Sequence, residues 1–280
     1  MNDIFNSPAV SAVVELALRE DIGTGDLTTA AIFGGGERCR ARVIAKEKGI
    51  FCGGELAGII YGKVDPAVKI DIIVRDGREI SSGETALVCE GPTAGILTGE
   101  RTVLNFLQRM CGIATKTGGI VSLLRGTGIE VLDTRKTAPG MRLLDKYAVK
   151  AGGGRNHRMG LFDMVMIKDN HTKGAGSIAE AVKKVRALHG DAFTVEVETT
   201  TLEEVREALE AGADIIMLDN MDTETMAGAV RIIKGKAKTE ISGNVDERRI
   251  AELKKLKVDY ISIGALTHSV KAFDLSMKFE

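Results

Sequence analysis

The second half of the chain repeats one unit, an apolar run followed by a helical pattern, at a nearly constant spacing. Successive runs end at Glu198, Asp219, Ser242 and Gly264, which lie 21, 23 and 22 positions apart. The stretch "TLEEVREALEAGA" between the first two has the apolar period of a helix. A strand-helix unit repeated at this length predicts a parallel sheet, because each helix must carry the chain back before the next parallel strand can begin.

Six strands of this kind are predicted, in the stretches "IEVLD", "DMVMIKD", "FTVEVE", "DIIMLD", "KTEISG" and "DYISIG". Residues 215–218 are apolar without interruption, which indicates strands that are covered on both faces. Six strands are fewer than the eight of a complete (β/α) barrel. The pattern therefore predicts an α/β protein with an incomplete barrel, and an open doubly wound sheet is the alternative.

The chain before residue 110 has no such regular period. Residues 9–19 and the stretch "GERTVLNFLQRMCGIA" have the apolar stripe of a helix, and Arg101 lies on the polar face of the second. The stretches "CRARVIAKEKG" and "VKIDIIVRDG" predict strands that end at glycine. This mixture indicates a separate domain of the α+β kind.

Composition excludes several classes of function. The net charge is -1, aromatic residues make up 4% of the 280 residues and there is no Trp, so a nucleic-acid or membrane-surface role is not expected. The four cysteines form no CxxC pair and are expected as buried thiols. The N-terminal "MNDIFNSPAV" lacks the features of a signal peptide, and no apolar run approaches the roughly 20 residues of a membrane span, so a cytoplasmic protein is expected.

Polar residues follow almost every strand of the predicted barrel, where active sites of such barrels lie. A single polar residue after a strand is often only a helix cap, and we predict this role for Asp222 and Asp246. A complete ring is harder to explain by capping and favours a functional site. Its members are Arg135, Lys136, Lys168, Glu198, Asp219, Ser242, Gly243, Asn244 and Gly264.

The ring has a cationic part. The stretch "AGGGRNHRMG" adds His157 and Arg158, and its three glycines predict a tight turn or a close approach of the backbone to a ligand. Guanidinium groups bind carboxylates and phosphates with two parallel hydrogen bonds. We expect a small polyanion here, a dicarboxylate, a phosphate ester or both, bound by Arg135, Lys136, His157, Arg158 and Lys168.

The ring also has an acidic part and a candidate phosphate loop. Glu198 and Asp219 could hold a hydrated Mg²⁺, bind ribose hydroxyls or act in acid-base chemistry, and a salt bridge to a nearby lysine is the alternative. The stretch "SGN" at 242–244 precedes a predicted helix, and barrels frequently bind a phosphate between their last two loops.

These residues occur in motifs that resemble the quinolinate phosphoribosyltransferase family, also called decarboxylating nicotinate-nucleotide pyrophosphorylases. The most specific are "DTRKTAPGMR" (133–142) and "GGGRNHRMGLFDMVMIKDNH" (152–171). Others are "LREDIGTGDLTT", "GERTVLNFLQRMCGIAT", "EVETTTLEE", "IMLDN", "ISGNV" and "ISIGALTHS". The resemblance implies an N-terminal α/β sandwich domain, residues 1–112, and an incomplete α/β barrel, residues 113–280, whose last residues pack back on the first domain.

The resemblance also implies an activity. Members of the family join quinolinate to 5-phosphoribosyl-1-pyrophosphate with Mg²⁺, release pyrophosphate and CO₂, and form nicotinate mononucleotide on the route to NAD. They are homodimers that share active sites between subunits, and some form hexamers. Related molybdenum-transport-associated proteins share "RKT" and the histidine-arginine pair but lack the "DTR" start and the "IKDNH" end. A Schiff-base aldolase that uses Lys168 and a non-catalytic metabolite sensor are further alternatives.

The family's site roles transfer to matching positions of this chain. Lys136 matches the lysine where the two substrates meet, and Glu198 and Asp219 match the acids that face the ribose and Mg²⁺; these three are the predicted catalytic residues. Arg101 matches an arginine from the partner subunit. The residues that match quinolinate-binding positions are Arg101, Arg135, His157, Arg158 and Lys168. Ser242, Gly243 and Gly264 match positions that bind the 5-phosphate, with Asn244 and His268 nearby. These five, together with the three catalytic residues, are expected to bind 5-phosphoribosyl-1-pyrophosphate.

Overall fold

The computed structural model describes residues 4–280. Its helices are α1 (Pro8–Ile22), α2 (Leu27–Ile32), α3 (Gly54–Val64), α4 (Thr93–Leu123), α5 (Arg142–Ala151), α6 (Asp169–Ala175), α7 (Ile178–His189), α8 (Leu202–Glu210), α9 (Thr223–Ile233), α10 (Glu247–Leu253) and α11 (Ala265–His268). Its strands are β1 (Arg38–Ala45), β2 (Gly49–Ile50), β3 (Lys69–Ile72), β4 (Glu79–Ile80), β5 (Thr85–Pro92), β6 (Glu130–Leu132), β7 (Val165–Ile167), β8 (Val195–Thr199), β9 (Ile215–Asp219), β10 (Lys238–Ser242), β11 (Tyr260–Ser262) and β12 (Leu275–Phe279).

The chain forms two compact units. The first contains the residues up to Gly118 together with Thr137–Gly153 and Ala265–Glu280, and the second contains Gly119–Lys136 and Gly154–Gly264. These units group residues by contact and are discontinuous in sequence. The predicted domain boundary near residue 112 stays a prediction.

The first unit is built on an antiparallel sheet with the strand order β12-β1-β5-β3. The alternating pattern of β1 places Ala41, Val43 and Ala45 in the core. The C-terminal strand β12 pairs with β1 along its whole length, with Ala41 opposite Phe279. Helices and an antiparallel sheet together confirm the α+β character expected for this part of the chain.

Three details of the first unit differ from the sequence-based expectation. The strand expected in "CRARVIAKEKG" ends at Ala45, and Gly49 begins the separate strand β2. The strand expected in "VKIDIIVRDG" ends at Ile72, because the amides of Ile73 and Val74 both donate to the carbonyl of Ala86 and the regular pairing stops there. The helix expected around Arg101 is longer, since α4 spans 31 residues.

The glycines after α5 have a packing role that the sequence analysis did not anticipate. A Cβ on Gly152 would lie 2.4 Å from the carbonyl oxygen of Ala114 in α4, so only glycine permits this approach between two backbones. Gly153 has a φ of 86°, which turns the chain after the helix. The close approach at Gly152 is therefore made to α4 and not to a ligand, and the tight turn predicted for the three glycines is present at Gly153.

The second unit contains six parallel strands in the order β6-β11-β10-β9-β8-β7. Strands that follow one another in sequence are neighbours from β7 to β11, and β6 pairs with β11. A doubly wound sheet would show a reversal of strand order in its interior. The order is that of a barrel with one gap, between β6 and β7, which confirms the incomplete barrel and excludes the open doubly wound alternative.

A short segment lies along the gap. The amide of Arg155 donates to Val131 in β6 at 2.8 Å, and the amide of Asp133 donates to Arg155 at 3.2 Å. Arg158 then donates from Nη1 to the carbonyl of Met164, just before β7, at 3.1 Å. Residues 155–158 are thus held between the two edge strands of the barrel, and this places His157 and Arg158 in its interior.

Side-chain caps begin four helices of the second unit. Ser177, Thr201, Asp222 and Asp246 accept hydrogen bonds from the backbone at the start of α7, α8, α9 and α10. The capping roles predicted for Asp222 and Asp246 are therefore confirmed. Among residues 4–280, no helix has the length and apolar character needed to cross a membrane.

Candidate active site

A cavity of about 420 Å³ opens among the carboxyl ends of the barrel strands. Ten of the residues predicted from the sequence line it: Arg135, Lys136, His157, Arg158, Lys168, Glu198, Asp219, Ser242, Gly243 and Asn244. Six further lining residues were not predicted: Thr134, Met166, Met217, Asn220, Glu240 and Ser262. The strand ends therefore converge on one cavity, as the ring of polar residues predicts.

Cationic side chains form one part of the cavity wall. Arg135 follows β6, Arg158 lies in the segment beside it, and Lys168 follows β7. Burial lowers the pKa of Arg158, and the charge of Arg135 lowers it further. Two guanidinium groups that repel one another in a partly buried site gain stability when an anion binds between them.

Asp133 fixes the backbone that carries His157 and Arg158. Its carboxylate is fully buried, accepts the amide of His157 at 2.9 Å and accepts Asn156 Nδ2 at 2.6 Å. Because a buried carboxylate is stable only when its oxygens are hydrogen-bonded, these contacts hold the segment firmly against β6. This role is not among those predicted from the sequence, although Asp133 directly follows a strand in the motif "DTRK".

Two buried glutamates lie beneath the cationic wall. His157 Nε2 is 3.0 Å from Glu196 Oε2 and 3.4 Å from Glu240 Oε2, and both glutamates are fully buried. Burial raises the pKa of Glu196 to about 7, and the charge of Glu240 adds to this effect. Burial alone disfavours the charged imidazole, but hydrogen bonds to Glu196 and Glu240 outweigh it and raise the pKa of His157 to about 9.

The His157 ring is fixed on both of its nitrogens. The amide of Arg158 points to Nδ1 at 2.7 Å, which favours a ring whose proton is on Nε2. Nε2 carries a hydrogen in the charged ring and in this neutral form, but Nδ1 can accept the Arg158 amide only in the neutral ring, because the charged ring has a hydrogen on Nδ1 as well. The ligand atoms of His157, Glu196 and Glu240 lie within 4.8 Å of one another. With a hydrogen on Nε2 the cluster is an ion pair, and these three side chains could hold a metal ion only if that hydrogen were removed.

A signal for these two glutamates is present in the sequence. Glu196 is two residues before Glu198 in β8, and Glu240 is two residues before Ser242 in β10. Side chains two apart in a strand point to the same face. Once Glu198 and Ser242 are assigned to the barrel interior, Glu196 and Glu240 follow them there.

The acidic part of the cavity contains Glu198 and Asp219, on the adjacent strands β8 and β9. Lys168 Nζ lies 2.5 Å from Glu198 Oε2, so the salt bridge considered for this carboxylate is present. Asp219 Oδ2 accepts Asn220 Nδ2 at 2.8 Å. These contacts use one oxygen of each carboxylate. Two carboxylates at the edge of an open cavity suit Mg²⁺, which binds proteins through one or two carboxylates and retains several waters.

The family comparisons cover nearly the whole chain. The description "Quinolinate phosphoribosyl transferase, N-terminal domain" matches residues 26–111, and the corresponding C-terminal domain matches residues 113–278. The chain belongs to the quinolinate phosphoribosyltransferase family. Within this family it is 47% identical to the probable nicotinate-nucleotide pyrophosphorylase [carboxylating] of Bacillus subtilis, over 92% of this chain and 89% of the relative.

Other members of the quinolinate phosphoribosyltransferase family are similar to this chain over most of its length. The chloroplastic nicotinate-nucleotide pyrophosphorylase [carboxylating] of Arabidopsis thaliana is 46% identical over 97% of this chain and 83% of the relative. The crystal structure of NadC from Streptococcus pyogenes matches with a TM-score of 0.93 and 41% identity, over 96% of this chain and 95% of that one. The cytoplasmic location expected from the sequence stays a prediction.

Three residues with predicted family roles do not line this cavity. Gly264 follows β11 in the second unit. Arg101 is exposed on α4 and His268 ends α11, both in the first unit. His268 Nδ1 lies 2.7 Å from Ser269 Oγ. Their roles stay predictions.

Proposed function

We propose that this chain transfers the phosphoribosyl group of 5-phosphoribosyl-1-pyrophosphate to quinolinate and removes one carboxylate as CO₂. The products are nicotinate mononucleotide and pyrophosphate, which places the enzyme, a pentosyltransferase, in NAD biosynthesis. The observation that carries the proposal is one cavity with Arg135, Arg158 and Lys168 in its wall beside Glu198 and Asp219. Family membership supplies the substrate class.

The cationic wall suits a dianion. Arg135 and Arg158 can each bind a carboxylate through two hydrogen bonds, and Lys168 adds a point charge. His157 lines the same cavity; Nδ1 of its neutral ring lies 2.7 Å from the amide of Arg158, and Nε2 faces the buried glutamates. We assign His157 to the wall of the quinolinate pocket and to the placement of Arg158.

Lys136 lines the cavity with both groups and is assigned to the junction of the two substrates. With quinolinate held by the cations, its ring nitrogen is oriented toward the anomeric carbon of the ribose. The new bond joins that nitrogen to the anomeric carbon, and the bond from the same carbon to the pyrophosphate oxygen breaks. Glu198 and Asp219 stabilise the positive charge that develops on the sugar, so no covalent enzyme nucleophile is required.

Decarboxylation follows from the charge of the product. Once the ring nitrogen is alkylated, the pyridinium can accept the electron pair of the bond to the neighbouring carboxylate. That bond breaks, CO₂ leaves and a proton from solvent replaces it on the ring carbon. The cationic wall continues to hold the other carboxylate during this step.

Glu198 and Asp219 are also the residues proposed to hold Mg²⁺, directly or through water. When bound, the ion would stabilise the charge on the departing pyrophosphate. Ser242, Gly243, Asn244, Gly264 and His268 are assigned to the 5-phosphate.

We further propose a homodimer, with hexamers as a larger assembly, in which Arg101 reaches the partner's cavity. Arg101 is exposed on the polar face of α4, and its neighbours Thr102, Val103 and Leu104 are buried. An exposed arginine on a well-packed helix is available to a second copy of the chain.

Product analysis tests the function. Purified protein is mixed with quinolinate, 5-phosphoribosyl-1-pyrophosphate and Mg²⁺, and nicotinate mononucleotide is measured by mass spectrometry. We expect product from quinolinate and none from nicotinate or without Mg²⁺. Product from nicotinate instead would contradict the dicarboxylate pocket, and no product from folded protein would favour the sensor.

The Schiff-base alternative is disfavoured by the position of Lys168. A lysine nucleophile requires a neutral amine, which proteins obtain with an apolar pocket or a neighbouring cation. Lys168 instead donates to Glu198, and its side chain is 44% exposed. No covalent adduct is expected when borohydride is added with a carbonyl substrate.

A further inference from the structure

The loops after β9 and β10 share an unusual backbone conformation. Among residues 4–280, three non-glycine residues have positive φ, and two of them are Asn220 at 53° and Asn244 at 47°. Gly243, between β10 and Asn244, has a φ of 93°. Asparagine tolerates this conformation better than most residues, but strained backbone of this kind persists only where surrounding contacts fix it, and it clusters at functional sites.

The Asn220 side chain supplies such contacts to both loops. Its Nδ2 donates to Asp219 Oδ2 at 2.8 Å, and its Oδ1 accepts Asn244 Nδ2 at 3.3 Å. Its backbone amide also donates to the carbonyl of Ser242 at 3.0 Å. A single residue therefore contacts the carboxylate assigned to the ribose and the loop assigned to the 5-phosphate.

Gly243 makes this arrangement possible. A Cβ at that position would lie 2.1 Å from Asn220 Oδ1, which is far inside any real contact. The side-chain amide of Asn220 occupies the space that a side chain at residue 243 would need. Any larger residue at 243 would displace Asn220 and with it the contact to Asp219.

Arg249 ties the same two loops from α10. Its Nη1 donates to the carbonyl of Gly243 at 3.0 Å, and its Nη2 donates to the carbonyl of Met221, the residue after Asn220. The planar guanidinium has its donors in a rigid fork, so a bridge between two carbonyls fixes their separation. Asn220 and Arg249 together form what we call the loop brace.

We propose that Asn220 and Arg249 are positioning residues that set the distance between the Asp219 carboxylate and the Ser242–Asn244 loop to the span of a ribose 5-phosphate. The inference rests on the proposed function, since it uses its assignment of the ribose and phosphate ends. The span between ribose hydroxyls and the 5-phosphate is fixed by covalent structure. An enzyme that binds both ends gains from fixed loops, because small misplacements at a reacting centre cost large factors in rate.

The alternative role for the loop brace is structural, as a contributor to folding stability alone. The two roles differ in what they predict. A stability role lowers the melting temperature and leaves the ligand affinities of the folded protein unchanged. A positioning role weakens a ligand that spans both loops and spares a ligand that binds elsewhere in the cavity.

The test compares Asn220→Ala, Asn220→Gly and Arg249→Met. Asn220→Gly is the decisive variant, because glycine adopts positive φ without strain and should keep the fold while the side-chain contacts are lost. Lys234→Ala and Lys234→Gly are matched controls, since Lys234 has a φ of 49° at the end of α9 and lines no part of the cavity. Calorimetry gives the affinities for ribose 5-phosphate and for quinolinate, and steady-state kinetics give KM for 5-phosphoribosyl-1-pyrophosphate.

We expect Asn220→Gly and Arg249→Met to weaken ribose 5-phosphate binding and raise this KM by about tenfold or more, the size of a lost hydrogen bond to a charged group. Quinolinate affinity should stay within about twofold, and both Lys234 variants should match the unaltered protein. In a variant that combines Asn220→Gly with Arg249→Met, the loss of ribose 5-phosphate affinity should be smaller than the sum of the two separate losses in free energy, because both residues act on the same distance between loops.

Two results would overturn the proposal. One is Asn220→Gly with unchanged ribose 5-phosphate affinity and KM. The other is an equal loss of quinolinate and ribose 5-phosphate affinity, which would indicate general disruption of the cavity. These results can be told apart from a failure of the proposed function, since in that case the unaltered protein would form no nicotinate mononucleotide.

Discussion

Lys168 Nζ and Glu198 Oε2 form an ion pair at 2.5 Å, so a cation assigned to quinolinate is joined to a carboxylate assigned to the ribose. The pair lies at the ends of β7 and β8, which are neighbours in the barrel. Before substrate binds, Glu198 competes with the quinolinate carboxylates for Lys168. In the proposed function, quinolinate gives Lys168 a new anionic partner, while Glu198 faces the ribose, where positive charge develops only during the reaction. Under these assignments the two substrate sites are electrostatically coupled through this contact.

Glu198→Gln should separate binding from turnover. Removing the competing charge frees Lys168, so quinolinate alone should bind with equal or several-fold higher affinity. Turnover should fall by about 100-fold or more, because the developing charge on the sugar loses a stabilising carboxylate. Calorimetry and product formation measure the two quantities. Glu203→Gln, on the exposed face of α8, is the control. A parallel loss of quinolinate affinity and turnover would contradict this assignment.

Asp133→Asn should loosen the segment that carries His157 and Arg158. The amide oxygen can replace one acceptor, but the substituted nitrogen would face a donor from Asn156 or from the backbone of His157. We expect a cost of about 1–3 kcal/mol in the free energy of unfolding, and weaker quinolinate binding. Urea denaturation and calorimetry measure both.

Glu130→Gln is the matched control for Asp133→Asn. Glu130 forms an exposed ion pair with Arg155 of the same segment, and exposed pairs contribute little to stability. If the two substitutions had equal effects on quinolinate binding, Asp133 would have no special part in holding the segment.

The buried cluster of His157, Glu196 and Glu240 should make the stability of the protein fall as the pH rises above neutrality. The pKa of His157 is raised to about 9, above its ordinary value of 6.5, so its contribution is fully present below pH 6.5 and is lost as pH rises through 9. Within this window the free energy of unfolding should fall by up to about 1.4 kcal/mol per pH unit, the value for release of one proton. Urea denaturation at several pH values measures it. His157→Gln should flatten the curve between pH 6.5 and 9; an unchanged slope would show that other groups cause it.

A shared active site can be tested by mixing two inactive variants. Arg101→Ala and Lys136→Ala chains should each lose activity as homodimers. In a mixed dimer, one cavity would carry both substitutions and the other neither, so random exchange should restore about a quarter of the original activity. Subunit exchange is verified by mass spectrometry of the native dimer. No recovery after verified exchange would show that Arg101 does not serve the partner's cavity.

The sequence predicts much of this structure because local signals dominate it. The six parallel strands follow from apolar runs at constant spacing, and Asp222 and Asp246 cap helices as their positions indicate. The ring residues from Arg135 to Asn244 meet in one cavity because parallel strands in a barrel end at the same rim.

The residues that were missed act through contacts between distant parts of the chain. Glu196 and Glu240 come together only because β8 and β10 face one interior, and their charged side chains suggest exposed positions when considered alone. Asp133 and Arg249 bind backbone groups, which sequence does not identify. Gly152 is explained by its approach to α4, a contact that depends on tertiary packing.

The most direct test of the account is quinolinate binding in the absence of 5-phosphoribosyl-1-pyrophosphate, measured by calorimetry for the unaltered protein, Arg158→Met and Asp219→Asn. In the proposed function, the cavity has a cationic part for quinolinate and an acidic part for the ribose. We therefore expect Arg158→Met to lower quinolinate affinity by about tenfold or more, and Asp219→Asn to leave that affinity unchanged while most turnover is lost. Loss of quinolinate binding in Asp219→Asn, or its retention in Arg158→Met, would contradict this division.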